Sequence, residues 1–457
     1  MKLKLERLPA GMRTFAAVWF SQMISMIGTG IAEFGVGVWV YQKTGSATLF
    51  SMILLFTVLP GILVSPIAGP LVDRWDRRKT MIWADTGAAL STLSLLLWLI
   101  AGNLQVWWIM LAITFASICR TFQGPAWGAS TTLLVPEEHL GRASGMMNFA
   151  RSLSQIGGPL LGGVLVGLIG LEGVAAIDLV TFVVAVGALA MVRFPPVPRS
   201  AEAAAQKPGL LSEAAYGWRY IWERRSLRAH LAFFAVINLG LAFLWALFPP
   251  LVLSFTRPAM LGIVGSSVGF GMLVGSMVMT AWGGPKRRVM GILGVGVLFG
   301  VCLILMGSRP WVPLIAASMF GITFGIPLLN GCFMRLWQPR IAPDVQGRTF
   351  AAIQVMVWST EPIAYLTAGP LADRVFRPLL LPGGPLASTV GVVLGTGPGR
   401  GIGLMLVIVG VLMLVWTGFS ALSPHFHSVE REDPVVAAAP APAEDEVPAG
   451  EPTPVPA

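Results

Sequence analysis

Charge is what this sequence has least of: Asp, Glu, Lys and Arg together make only 12% of its 457 residues. A soluble domain carries roughly 25%. A chain that is 55% hydrophobic cannot cover its apolar surface with so few polar groups, which excludes a soluble fold of this size. Cysteine is equally sparse. Cys119, Cys302 and Cys332 lie far apart inside apolar runs, and no Cys-x-x-Cys or Cys/His spacing offers a disulfide framework or a metal site. There is no Gly-x4-Gly-Lys-Ser/Thr run, and the Gly395 to Gly403 stretch follows no strand of a βαβ unit, as a dinucleotide fingerprint must. ATP hydrolysis, a bound cofactor and enzymatic chemistry are therefore not expected. The net charge of +9 raises nucleic acid as a partner, but the cations sit between apolar runs, where orientation in a membrane accounts for them and no nucleic acid is called for.

Long apolar runs are what the sequence does have, with a mean hydropathy of +0.75. A membrane-crossing helix needs about 20 apolar residues, and twelve spans are expected at 14–42, 47–72, 79–101, 105–130, 142–169, 171–193, 228–255, 259–283, 289–307, 311–336, 349–372 and 401–422. The basic stretch Met1 to Ala17 leads into an apolar run that continues to Tyr41 without a convincing cleavage site, so it reads as a retained first span and not a signal peptide. Lys2, Lys4, Arg7 and Arg13 precede span 1; Arg74, Arg77, Arg78 and Lys79 join spans 2 and 3; Lys286, Arg287 and Arg288 join spans 8 and 9. The loops on the opposite side carry mostly single cations, Lys43, Arg257 and Arg309, with Arg374, Arg377 and Arg400 before span 12 as the exception. That asymmetry puts both termini in the cytoplasm.

The halves repeat. Pro136-Glu137-Glu138-His139-Leu140-Gly141-Arg142 enters span 5 and Pro343-Asp344-Val345-Gln346-Gly347-Arg348 enters span 11, and the basic loop after span 2 has its partner after span 8. The expected organisation is an all-α membrane protein: a six-helix bundle over 1–193, a cytoplasmic linker over 194–227, a second six-helix bundle over 228–422 and a disordered tail over 423–457. Within the linker, Leu210 to Arg228 sets Trp218, Tyr220 and Trp222 among arginines, which suits an amphipathic helix at the membrane interface. The tail is rich in Ala, Pro and Glu, a composition that does not build a core.

Three motifs carry more. Gly69-Pro70-Leu71-Val72-Asp73-Arg74-Trp75-Asp76-Arg77-Arg78-Lys79 follows span 2. A basic loop alone would serve orientation, but Asp73 among the cations can pair with them or cap a helix N-terminus. Span 4 holds Arg120-Thr121-Phe122-Gln123-Gly124. An arginine near mid-membrane costs about 2.5–3.5 kcal/mol on insertion scales and needs a cavity or a partner; a plain structural arginine bonded to carbonyls is the competing reading. Span 5 holds Gly145-x8-Ser154-x3-Gly158-Pro159-Leu160-Leu161-Gly162-Gly163. Small residues on one helical face permit close helix approach, Pro159 permits bending, and ordinary small-residue packing is again the plainer alternative.

Together these resemble the major facilitator superfamily. The first run is similar to its signature loop (Gly-x-Leu-x-Asp-Arg-x-Gly-Arg-Arg/Lys), with Asp76 where glycine is usual; Gly69, Asp73, Arg74, Arg77 and Arg78 would then form the cytoplasmic gating loop. The second resembles the Arg-x-x-Gln-Gly motif of proton-coupled members and implies a proton-transfer role for Arg120. The third resembles the antiporter motif of drug exporters, on Gly145, Gly158, Pro159, Gly162 and Gly163, with Ser154 for one glycine. Thr44-Gly45-Ser46-Ala47-Thr48, Gly369-Pro370-Leu371-Ala372-Asp373-Arg374-Val375-Phe376 and Gly397-Pro398-Gly399-Arg400-Gly401-Ile402-Gly403 look like the macrolide-efflux-like branch. The resemblance covers residues 10–422 and implies two six-helix pseudo-repeats, a bacterial inner membrane, and export of drugs, macrolides, siderophores or peptide-like products.

Proton coupling needs a carboxyl whose proton affinity changes with access. Glu361 in span 11 and Glu33 in span 1 are the candidates, to act with Arg120. Asp178 and Asp85 read as structural groups near the ends of peripheral spans, and Arg151 as a residue within snorkelling reach of the cytoplasm. Gln22, Gln123, Asn238, Asn330, Gln354 and Trp358 could orient a substrate in a largely apolar pocket. The expected function is export of amphipathic small molecules by proton antiport with alternating access. The alternatives are a proton-coupled uptake symporter of the same fold or a non-transporting scaffold or sensor. The chain is expected to act as a monomer, with lipid and a small-molecule substrate as its partners and the proton gradient as its energy source.

Overall fold

The computed structural model describes residues 10–136, 139–192, 219, 221–341, 349, 353, 355, 357 and 359–431. A few helical side chains, those of Gly69, Asp73 and Arg74 among them, lie outside that description. The amphipathic stretch expected at 210–228 lies largely outside it too, as do Gln354, Trp358 and the tail from 432.

The described residues are helical nearly throughout. In order they are α1 (Ala10–Thr44), α2 (Ala47–Arg74), α3 (Arg77–Ile100), α4 (Val106–Leu134), α5 (Leu140–Met191), α6 (Arg225–Leu253), α7 (Pro258–Trp282), α8 (Arg288–Ser308), α9 (Val312–Trp337), α10 (Thr360–Pro370) and α11 (Arg400–Leu422). Ten stretches among the described residues are long and apolar enough to cross a membrane. One of them, α5, is two spans: Gly170 breaks its helical backbone with φ 69° and ψ −176°, a conformation open to glycine because it has no Cβ. The described residues thus hold eleven of the twelve expected spans, and α10 covers the later part of the remaining one, expected at 349–372. Large apolar side chains face outward along them, Trp83, Leu168, Val183, Met277 and Leu422 among the most exposed, as helices bathed in lipid require.

Local chemistry sets the helix ends. Ser46 caps α2 by accepting from the Leu49 N–H. Asp76 does the same for α3, accepting from the Lys79 N–H at 2.9 Å; the residue that departs from the family's glycine is therefore an N-cap. Gly283, with φ 73°, closes α7 in the left-handed conformation that commonly terminates helices.

The largest core cluster gathers α6 to α11 and reaches across to Val38, Ala47 and Leu55 of α1 and α2. The two halves thus meet at the end of the molecule where α2 begins. They also touch where the Gly163 position of α5 meets Gly262 of α7: a Cβ on Gly163 would lie 2.7 Å from the Gly262 Cα. Two backbones can pass this closely only where neither residue has a side chain.

The expected disordered tail needs correcting at its start. Pro424–Ser428 forms a short helix, Phe426 is 1% exposed and stacks on His230 of α6 with ring centroids 4.0 Å apart. Glu430 accepts from the Val289 N–H at the start of α8. One aromatic and one capping carboxylate anchor a segment whose average composition reads as unstructured.

Candidate functional site

A cavity of about 670 Å³ lies in the half of the molecule where α2 begins, lined by α1 to α5 on one side and by Trp245, Phe248, Met272, Ile326 and Tyr365 of the C-terminal half on the other. Its walls are mainly aliphatic and aromatic. Among the described residues three charged side chains reach it: Glu33 from α1, Arg120 from α4 and Asp178 from the second arm of α5.

Arg120 Nη1 donates to Glu33 Oε1 in a direct ion pair. The pair is partly open, its side chains 28% and 43% exposed, so it is not sealed in protein. Of the two carboxylates expected near Arg120, the structure brings Glu33 to it. Glu361 stands in the first turn of α10, one helical turn before Tyr365, and is not among the cavity-lining residues.

Asp178 is the residue that sequence reasoning set aside as peripheral. Its carboxylate is 1% exposed, accepts from Thr29 Oγ1 at 3.1 Å and from Thr92 Oγ1 at 2.8 Å, and lines the cavity. Thr29 precedes Glu33 by four residues and shares its face of α1, which brings the second carboxylate next to the Arg120 pair. The rule that an ionisable group inside a membrane is functional by default was the signal available, and the peripheral placement of its span was what hid it.

The glutamines are elsewhere. Gln22 Nε2 donates to Asp85 Oδ2 at 2.8 Å and Gln123 Nε2 to Asp85 Oδ1 at 2.6 Å. They knit α1, α3 and α4 around a carboxylate that is 1% exposed, and neither lines the cavity. Asn238 donates to the Phe234 carbonyl of its own helix, Asn330 is exposed, and neither lines the cavity either.

The signature loop is a tie between helices. Arg77 Nη1 donates to the Ala129 carbonyl at 2.7 Å, and Arg78 donates to the carbonyls of Leu189 and Ala190. Arg78 thereby meets carbonyls in the last turn of α5, where a cation complements the helix dipole, and Arg77 ties the start of α3 to the C-terminal part of α4. In the α5 motif, Gly158 packs on the Gly30 backbone, Gly162 on Phe34 and the Ile31 carbonyl, and a Cβ on Gly265 would lie 3.2 Å from the Pro159 ring. Ser154 donates to the Met26 carbonyl at 2.6 Å. Gly145 is exposed. Among the described residues no group of three or more His, Cys, Asp or Glu could hold a metal ion.

Comparison with known proteins agrees with this geometry. The family model described as Major Facilitator Superfamily matches residues 18–360. Macrolide efflux protein A of Streptococcus pyogenes is 28% identical over 375 residues, covering 79% of this chain and 90% of that protein. Multidrug efflux pump Tap of Mycobacterium tuberculosis is 26% identical over 374 residues, covering 78% and 86%. Among solved structures, a bacterial homologue of the human lysosomal transporter Spinster, in an inward-facing and unoccupied conformation, superposes with a TM-score of 0.69 at 14% identity, covering 93% of this chain and 97% of that one.

Proposed function

Because this chain belongs to the Major Facilitator Superfamily, and is thus a multi-pass membrane transporter with efflux-pump relatives, we propose that it exports amphipathic small molecules from the cytoplasm in exchange for protons. The observation that carries the reading is the Arg120–Glu33 pair at the edge of an apolar cavity. A proton carrier needs a carboxylate whose surroundings differ between the two access states, and a guanidinium partner that can part from it supplies such a difference. The cavity supplies what an amphipathic solute needs, a large apolar surface with a few polar groups at one end. Relatives named for macrolide and multidrug efflux support the direction of transport and a solute of this kind. The chain would sit in a bacterial inner membrane with both termini in the cytoplasm.

The scale is sufficient. A proton moving down about 150 mV releases roughly 3.5 kcal/mol, at about 2.3 kcal/mol per 100 mV. One proton per solute therefore sustains a gradient of a few hundredfold, at about 1.4 kcal/mol per decade.

The test is accumulation of a panel of fluorescent lipophilic solutes in pump-deficient cells, comparing the wild type with Arg120→Ala and Glu33→Gln, each with and without a protonophore. Lowered accumulation that is abolished by the protonophore and by either substitution is the expected result. Raised accumulation in the wild type would mean uptake and overturn the export reading. Export that ignores the protonophore would remove proton coupling.

A further inference from the structure

Gly69-Pro70-Leu71-Val72-Asp73-Arg74 at the end of α2 reappears as Gly369-Pro370-Leu371-Ala372-Asp373-Arg374 at the end of the α10 span. The two helices end on opposite faces of the molecule, since α2 runs away from the 44–47 connection and the α10 span runs towards it. A reading confined to the cytoplasmic loop leaves the second copy without a task, and the structure shows what it touches. Asp373 accepts from Ser46 Oγ at 2.7 Å, the Ala47 N–H at 3.2 Å, the Thr48 N–H at 2.8 Å and Thr48 Oγ1 at 2.8 Å. These are the cap and first residues of α2, in the other half of the protein. A carboxylate on the free N–H groups of a helix start is both hydrogen-bonded and favoured by the helix dipole.

Two further features belong to this contact. The chain carrying Asp373 widens into a π-type turn over Leu371–Phe376, directly after Pro370; such turns in helices occur disproportionately at functional positions. Gly369 lets the two chains meet, because a Cβ there would fall 2.4 Å from the Thr48 Cα and 2.7 Å from the Ala47 carbonyl oxygen. Arg377 adds a longer hydrogen bond to the Gly45 carbonyl at 3.4 Å.

We propose that Asp373 and the Ser46–Thr48 start of α2 form a latch between the two halves, which holds the molecule shut at the face where α2 begins and must be released for that face to open. Breaking it costs Asp373 its four donors at once, so it acts as a two-state catch and not as a graded contact. Residues 369–374 are thus a gating element at the face opposite the one the signature loop occupies. The assignment rests on the contact between the halves and does not depend on proton coupling or on the direction of transport.

The test is a distance measurement by pulsed electron paramagnetic resonance on purified protein, with no solute present. Cys119, Cys302 and Cys332 are replaced, and spin labels are placed at exposed Asn103 and Arg309, one on each half at the latched face. In the parent, one short distance is expected to dominate. Asp373→Asn is expected to raise the long-distance population at least about threefold. The Ser46→Ala, Thr48→Ala double variant, which leaves the α10 span untouched, should shift it the same way by a smaller factor. Each variant is first checked for a single symmetric size-exclusion peak and a melting transition. An unchanged distance distribution in either folded variant overturns the latch. Transport assays play no part in the readout, so a failure of the export reading would leave this result standing.

Discussion

Asp85 and Asp178 are both intramembrane carboxylates at 1% exposure, yet their surroundings assign them different work. Asp85 is met by two side-chain amides and faces away from the cavity. Asp85→Leu should leave the buried Gln22 Nε2 without its acceptor, at about 1–3 kcal/mol, while Gln123 Nε2 keeps only its bond to Gln22 Oε1 at 2.9 Å, and should lower the melting temperature in detergent clearly more than Asp85→Asn, which keeps one acceptor. Equal melting of the two variants would remove the knitting role. Asp178 is met by hydroxyls and looks onto the cavity. Asp178→Asn keeps one acceptor and is expected to leave melting near the parent's while cutting solute export at least about tenfold, equivalent to 1.4 kcal/mol. Export at the parent rate would return Asp178 to a purely structural role. Much of the residue level was legible from intramembrane charge alone: Arg120 needed a partner, and Glu33 was on the short list. What could not be read was the choice between Glu33 and Glu361, or between Asp85 and Asp178, because that choice depends on which helix faces a residue turns towards and no spacing within one span encodes it.

At the scale of elements, several arginines join one helix to another. Arg77 ties α3 to α4, Arg78 closes the end of α5, and buried Arg400 does the same for α8, donating to the carbonyls of Gly307 and Ser308 at 2.8 and 2.9 Å. The spans were readable because twenty-residue apolar runs separated by cations leave few other solutions. The break between the two spans of α5 falls at Gly170, where the apolar runs 142–169 and 171–193 part; the anchoring of 424–431 was not readable, since it turns on a slot built by residues far away in sequence. Phe426→Ala is expected to cost about 3 kcal/mol, typical of removing a buried aromatic ring, and to lower the melting temperature. A variant that melts as the parent does would show the slot to be unimportant. In α5, Gly163→Leu would force its side chain into the Gly262 backbone. Transport should fall at least about tenfold while membrane expression persists; transport at the parent level would mean that the two halves do not need this approach.

For the whole molecule, the Gly163–Gly262 contact has a mechanical consequence. It sits near one end of the first arm of α5, not at its middle. At 1.5 Å per residue, about 35 Å of helix extends from Gly163 back to the start of α5 and only about 10 Å forward to Gly170. If the halves turn about that contact by about 15°, a rotation of the size known for other bistable interfaces, the long arm sweeps its tip through about 9 Å and the short arm through about 3 Å. The first is the width of a drug-like molecule and the second is little more than a hydrogen-bond length. The protein is then a lever with unequal arms: a wide mouth on the side where α5 starts and a narrow slit on the latched side. Spin-label pairs across the wide end should change separation about threefold more than pairs across the slit, and equal excursions would move the fulcrum elsewhere. A bulky solute would enter such a machine as a whole body and leave it end-on, so rigid, round molecules should be poorer cargo than long, flexible ones of the same volume.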